Sequence, residues 1–193
     1  MNRGVYKYIV PRDLSDAEVA KALSALPAWR LQKALSYRRP IDRFLCAKAY
    51  NLLKQALEEC FAFTSDITFS YGPGGKPFLE GRPGIHFNLS HCSSCVCCIV
   101  SSRPVGIDVE DIQYDSDLME IAFNPQEREV IRKADSPEVE FTRLWTMKEC
   151  CLKLRGDGIT DDIRDVLTQK KPRLDIEINA DRGYVMCAAE EIF

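Results

Sequence analysis

Two carboxylates one residue apart, a third with a lysine one helical turn beyond it, and a serine–histidine pair are the side chains here best suited to act together. The first two lie in VGIDVED, Val105 to Asp111. In an extended segment alternate residues share a face, so Ile107 and Val109 turn toward a core while Asp108 and Glu110 lie side by side opposite. Neighbouring carboxylates repel unless protons or a cation intervene, and a hard divalent ion such as Mg²⁺ takes oxygen ligands. The plainer reading of this segment alone is a solvent-facing acidic edge. The third carboxylate lies in WTMKECCLKLRGDG, Trp145 to Gly158. On a helix Glu149 and Lys153 stack on one face, Trp145 precedes them by a turn, and Lys148 falls at the border. Alone this is an ordinary surface ion pair. Beside Asp108 and Glu110 it supplies what a metal–phosphate site uses, a third oxygen donor and a further positive charge. GGKP, Gly74 to Pro77, places Lys76 in a tight turn whose backbone N–H groups and ammonium could meet a phosphate, although the Walker A spacing is absent.

NLSHCSSCVCC, Asn88 to Cys98, concentrates cysteine beside one of the two histidines of the chain. Cys92 and Cys95 have zinc-like spacing, but no second pair stands at finger distance. A nucleophilic cysteine needs a base, and His86 and His91 are the imidazoles available. Val96 to Val100 reads as a buried strand in which Cys97 and Cys98 act as small apolar residues. Ser90 and His91, at the end of the preceding strand, are then the polar groups placed for a ligand. The adjacent pairs Cys97-Cys98 and Cys150-Cys151 are poorly suited to cross-links, and the N-terminus lacks a signal-like apolar stretch, so the nine cysteines are expected to be reduced thiols in a cytoplasmic protein.

The elements that must position these groups follow from local signals. VYKYIV reads as a first strand, and Ser15 with Glu18 as a capping box. A basic stretch with Arg30, Lys33, Arg38, Arg39 and Arg43 leads into a helix over Ile41 to Cys60, and Pro40 marks a break. ITFSY, GIHFNLS, CVCCIVS and RPVGIDVED read as strands. Asn124-Pro125 and Ser136-Pro137 open two helices, the second ending at GDG, and RLDIEI and YVMCAAEE are late strands. Strands and helices are interspersed without a βαβ rhythm, which gives an α+β class. With 193 residues and a net charge of -3, the chain suits one ordinary unit and carries no overall field for nucleic acid; its apolar runs are too short for a bilayer span.

VGIDVE, followed about forty residues after Asp108 by WTMKECCLK, resembles the signature of the 4′-phosphopantetheinyl transferases, with GKP, FNLSH and GDGI in the family's order. The chain length is similar to that of the surfactin-synthetase-activating type. That resemblance implies a 4′-phosphopantetheinyl transferase-like α+β fold with two pseudo-twofold-related lobes and the active site in the cleft between them. The lobes would be residues 1–103, with coenzyme A phosphate contacts, and 104–193, with the metal-binding carboxylates, in one monomeric unit. It implies a holo-acyl-carrier-protein synthase type of activity: the phosphopantetheine arm of coenzyme A moves to a serine of an apo acyl or peptidyl carrier protein, releasing adenosine 3′,5′-bisphosphate. By the same resemblance Asp108, Glu110 and Glu149 hold Mg²⁺ or Mn²⁺. Glu149 is the general base, directly or through a water on the ion, and Lys153 and Asp108 complete the catalytic set. Lys153, Lys76, Ser90 and His91 hold coenzyme A phosphates, and Arg43 clamps the 3′-phosphate. Arg30, Lys33, Arg38 and Arg39 have no fixed register with the family across Pro40. Glu127 falls where the family often has a Glu, yet a first-turn acid needs no catalytic role. The carrier would dock near Asp117 to Lys133, where Leu118, Ile121, Phe123 and Ile131 are candidates beside plain core packing. No nucleic-acid or membrane partner is implied.

Two other classes use similar residues. A metal-dependent phosphodiesterase or nucleotidyl transferase would use the same carboxylates and lysine without an acceptor protein. A non-catalytic coenzyme A or carrier-binding module would keep the fold alone.

Overall fold

The computed structural model describes residues 2–156, 158, 163–169 and 172–192. The chain runs β1 (Arg3–Ile9), α1 (Asp16–Ser24), α2 (Ala28–Leu35), α3 (Pro40–Phe61), β2 (Phe69–Tyr71), β3 (Pro77–Leu79), β4 (His86–His91) and β5 (Cys95–Ser101). It continues β6 (Val105–Asp111), α4 (Ser116–Ala122), α5 (Pro125–Lys133), α6 (Pro137–Arg155), a 3-10 helix (Ile163–Thr168), β7 (Arg173–Asn179) and β8 (Tyr184–Glu190). The caps are those the residues announce. Ser15 with Glu18 and Asn124 with Glu127 form reciprocal capping boxes, and Pro40, Pro125 and Pro137 stand in the first helical turns. Pro40 therefore opens α3, because its fixed φ and missing N–H suit a position with no helical acceptor. Gly156, at φ 83°, ends α6. Of the GDGI stretch, Asp157 and Ile159 lie outside the described residues. The sequence reading missed β3 and the 3-10 helix.

Two three-stranded antiparallel sheets, β1-β5-β4 and β6-β8-β7, repeat one plan. In each, a first strand leads through helices to a hairpin whose second strand takes the centre. The sheets pack on each other through the odd-numbered residues of β5 and β6, Cys95, Cys97, Ile99, Val105, Ile107 and Val109, with Tyr184, Met186 and Ala188 of β8. The even face of β5, Val96, Cys98 and Val100, packs on α3. On the far side α6 covers the second sheet, where Cys150 meets Cys187 and Ala189. The cysteines thus serve as strand and helix filling: all nine are free, and Cys95, Cys97 and Cys98 are buried.

Polar ties lock the two sheets in register. Arg3 and Lys7 of β1 pair with Asp175 and Glu177 of β7. At the opposite edges, Asn88 Oδ1 accepts the Ile107 N–H at 2.9 Å. Gly106 fixes how near α6 can come. A Cβ there would collide with the Cys150 carbonyl and the Leu154 backbone, so the strand and the helix lie backbone to backbone. No helix among the described residues is long and apolar enough to cross a membrane.

Candidate active site

The close approach at Gly106 brings α6 over the even-numbered face of β6, the face that carries Asp108. Asp108 is 1% exposed. Its Oδ1 accepts from Ser90 Oγ at 2.8 Å and from Lys153 Nζ at 2.5 Å, and Lys153 Nζ also donates to Ser90 Oγ at 2.9 Å. Strands β4 and β6 and helix α6 each contribute one corner of this triangle. The other carboxylate oxygen, Asp108 Oδ2, is buried and has no hydrogen-bond partner among the described residues. A buried, unpartnered anionic oxygen is costly, and a cation is what it lacks.

The neighbouring groups show the same excess of negative charge. Burial, then the Asp108 charge, pushes Glu110 up to about 7, against the opposing pull of Lys153. Burial and Asp108 likewise raise Glu149. Burial works against the Lys153 charge, but Asp108 and Glu149 outweigh it and hold the ammonium above its ordinary range. Desolvation, with Lys153 second, keeps His91 below the usual imidazole range.

Ser90, His91, Asp108, Glu110 and Lys153 line one cavity of about 350 Å³, with Arg30 and Tyr37 from the N-terminal helical region. Glu149 lines a second, of about 260 Å³, with Lys76, Gly74, Gly75 and Asn88; Lys153 borders both. Arg43 lines neither; its Nε donates to the Tyr37 carbonyl at 2.9 Å. Arg30 stands in the cavity instead, with its Nε buried and unpartnered and its guanidinium 5.8 Å from the Tyr50 ring. A basic residue on a short helix before Pro40 was the one signal for it, and only the fold of α2 onto α3 sets its direction. Lys76, in the wall of the Glu149 cavity, donates its Nζ to two backbone carbonyls, Val105 at 2.8 Å and Leu154 at 2.9 Å.

Lys148 departs from its expected border position and is fully buried. It donates to the carbonyls of Ile163 and Arg164 at 2.9 and 2.8 Å and pairs with Glu127 at 2.9 Å. Glu127 is therefore both the cap of α5 and the counter-charge of Lys148. Of the apolar candidates on α4 and α5, Phe123 and Ile131 are core and Ile121 is exposed. Leu118 packs against that core, partly buried.

The donor set suits a divalent ion in kind. It offers carboxylate oxygens only, one of them buried and unpaired among the described residues, beside two carboxyls pushed up by burial and then by the Asp108 charge. Among the described residues no three His, Cys, Asp or Glu side chains stand close enough to hold an ion as they are, so binding would draw the carboxylates together.

Residues 104–190 match the family model of the 4′-phosphopantetheinyl transferase superfamily. The 4′-phosphopantetheinyl transferase HetI of Nostoc is 31% identical over 180 residues, 87% of this chain and 76% of its own length. The chain belongs to the 4′-phosphopantetheinyl transferase superfamily. The transferase Sfp of Bacillus subtilis is 30% identical over 162 residues, covering 81% of this chain and 71% of Sfp. A further Bacillus subtilis 4′-phosphopantetheinyl transferase is 26% identical across 95% of the chain and 84% of its own length. Within this transferase the stretch matched by the family model holds Asp108, Glu110, Glu149 and Lys153, while Arg30, Ser90 and His91 precede it.

Proposed function

We propose that the protein transfers the 4′-phosphopantetheine arm of coenzyme A to a serine hydroxyl of an apo acyl or peptidyl carrier protein. The observation that carries this reading is the Ser90–Asp108–Lys153 triangle with its unpartnered Asp108 Oδ2. Asp108, Glu110 and Glu149 would hold Mg²⁺, or Mn²⁺, which when bound neutralises phosphate oxygens. Lys153, His91, Ser90 and Arg30 place positive charge and donors along one cavity, as a diphosphate ester with a 3′-phosphate requires. The acceptor serine oxygen bonds to the pantetheine-side phosphorus. The bond from that phosphorus to the bridging oxygen breaks, and adenosine 3′,5′-bisphosphate leaves. Glu149, at the same cluster, is the proposed base that takes the serine proton. Lys153 offsets the charge that develops on the phosphate.

The repeated strand order supports two lobes, residues 1–103 and 104–193, with the site at their junction; a cytoplasmic monomer is the reading that the family resemblance implies. The test is the intact mass of an apo acyl carrier protein incubated with coenzyme A and Mg²⁺, beside an EDTA control. A metal-dependent gain of one phosphopantetheine is expected. Coenzyme A cleaved without that gain would favour a phosphodiesterase. Intact coenzyme A bound without transfer would favour a binding module.

A further inference from the structure

Lys76 comes from the glycine-rich loop between β2 and β3, in the first half of the chain, yet both of its hydrogen-bond acceptors lie in the second half. The Val105 carbonyl opens β6, the strand of Asp108 and Glu110. The Leu154 carbonyl follows Lys153 directly on α6. Leu154 O is among the last carbonyls of its helix, which have no intrahelical donor and carry the negative pole of the helix dipole. Its loop is itself closed by Gly72 N to Lys76 O at 3.0 Å and Gly75 N to Gly72 O at 2.9 Å. The aliphatic stem packs beside Gly156, where a Cβ would stand 3.1 Å from the Lys76 Cδ. One ammonium thus fastens the two elements that carry the carboxylates and Lys153, and ties both to a loop that lines the Glu149 cavity.

We infer that Lys76 is a positioning residue, which sets the spacing of α6 against β6 and so of Glu149 and Lys153 against Asp108, and does not bind a coenzyme A phosphate through its ammonium. The inference rests on the transferase reading. A cation that bridges the carbonyls of Val105 and Leu154 faces the backbone, and turning it to a phosphate would leave both carbonyls and the end of α6 without it. Burial, which pulls Lys76 down to about 8, is consistent with an ammonium held by these carbonyls, with no carboxylate paired to it among the described residues.

The test compares Lys76→Met, Lys76→Gln and Lys76→Arg with the wild type in three measurements. These are kcat and KM for coenzyme A in carrier loading, the coenzyme A Kd by calorimetry, and backbone hydrogen exchange at the end of α6. Lys76→Gln, which can still donate to one carbonyl, stands in if Lys76→Met does not fold. Expected for Lys76→Met is a fall in kcat of about 10- to 100-fold, with KM and Kd for coenzyme A within about twofold. Exchange should quicken at Leu154 to Gly156, and Lys76→Arg should restore most of kcat and of the protection. A weakened Kd with kcat unchanged would overturn the inference and make Lys76 a phosphate ligand. Unchanged kcat and unchanged exchange would overturn it as well. Should the wild type load no carrier, the transferase reading fails, and the exchange and Kd measurements still decide whether Lys76 positions the helix or binds the nucleotide.

Discussion

Lys153 Nζ lies 2.5 Å from Asp108 Oδ1, while the second oxygen of the same buried carboxylate has no partner. One oxygen of Asp108 is paired within the protein, and under the proposed function the other would meet a cation. Asp108→Asn keeps the shape and removes the charge. Carrier loading should fall by about 100-fold or more. Mg²⁺ should raise the Tm of the wild type and leave that of this variant unchanged. A variant that loads carrier at the wild-type rate would refute the assignment of Asp108.

With Glu110 among the proposed metal ligands, its proton would set the pH dependence of metal binding. Its folded value of about 7 lies above the ordinary 4.5 of an unfolded chain. Between those values the folded protein holds the extra proton, so without metal this group's contribution to stability is lost as pH rises from 4.5 through 7. A bound Mg²⁺ needs the deprotonated carboxylate. Mg²⁺ affinity, measured by calorimetry, should therefore climb as pH rises through about 7 and then level off. In Glu110→Gln that climb should disappear.

Gly106→Ala places a methyl group against the Cys150 carbonyl and Leu154. Relief requires α6 to back away from β6, at a cost of about 1–3 kcal/mol or more. A lowered Tm is expected, together with a lower kcat, because Glu149 and Lys153 ride on the displaced helix. An unchanged Tm would show that the helix has room the structure does not give it.

Glu127→Ala leaves the Lys148 ammonium fully buried without its counter-charge. Breaking such a pair costs about 3–5 kcal/mol. Denaturant unfolding should register that loss, whereas Glu129→Ala, on an exposed surface pair, should change stability little.

Arg30 and Arg43 offer a direct contrast. Arg30→Ala should raise KM for coenzyme A, because this side chain lines the Ser90–Asp108 cavity. Arg43→Ala should alter it less, since Arg43 holds the Tyr37 carbonyl. The reverse order would return the 3′-phosphate to Arg43.

Much of the local structure was determined by the sequence alone. Helix starts at Ser15, Asn124 and Pro137 were legible, and that of α3 to within one residue of Pro40, because capping boxes and first-turn prolines act within one turn. The inward turn of Ile107 and Val109, and with it the opposite direction of Asp108, follows from the pleat of β6. The use of Cys97 and Cys98 as filling follows from the apolar run around them. Only the tertiary structure decided what lies across from those faces. Ser90, Asp108 and Lys153 stand 18, 45 and 63 positions apart, and no local rule relates them. Lys148 looked like a border residue on its own helix and is buried because the 3-10 helix and Glu127 close over it. Lys76 meets the Val105 and Leu154 carbonyls for the same reason. A long charged side chain goes where burial leaves it a partner, and the partner's place is set by how whole elements pack.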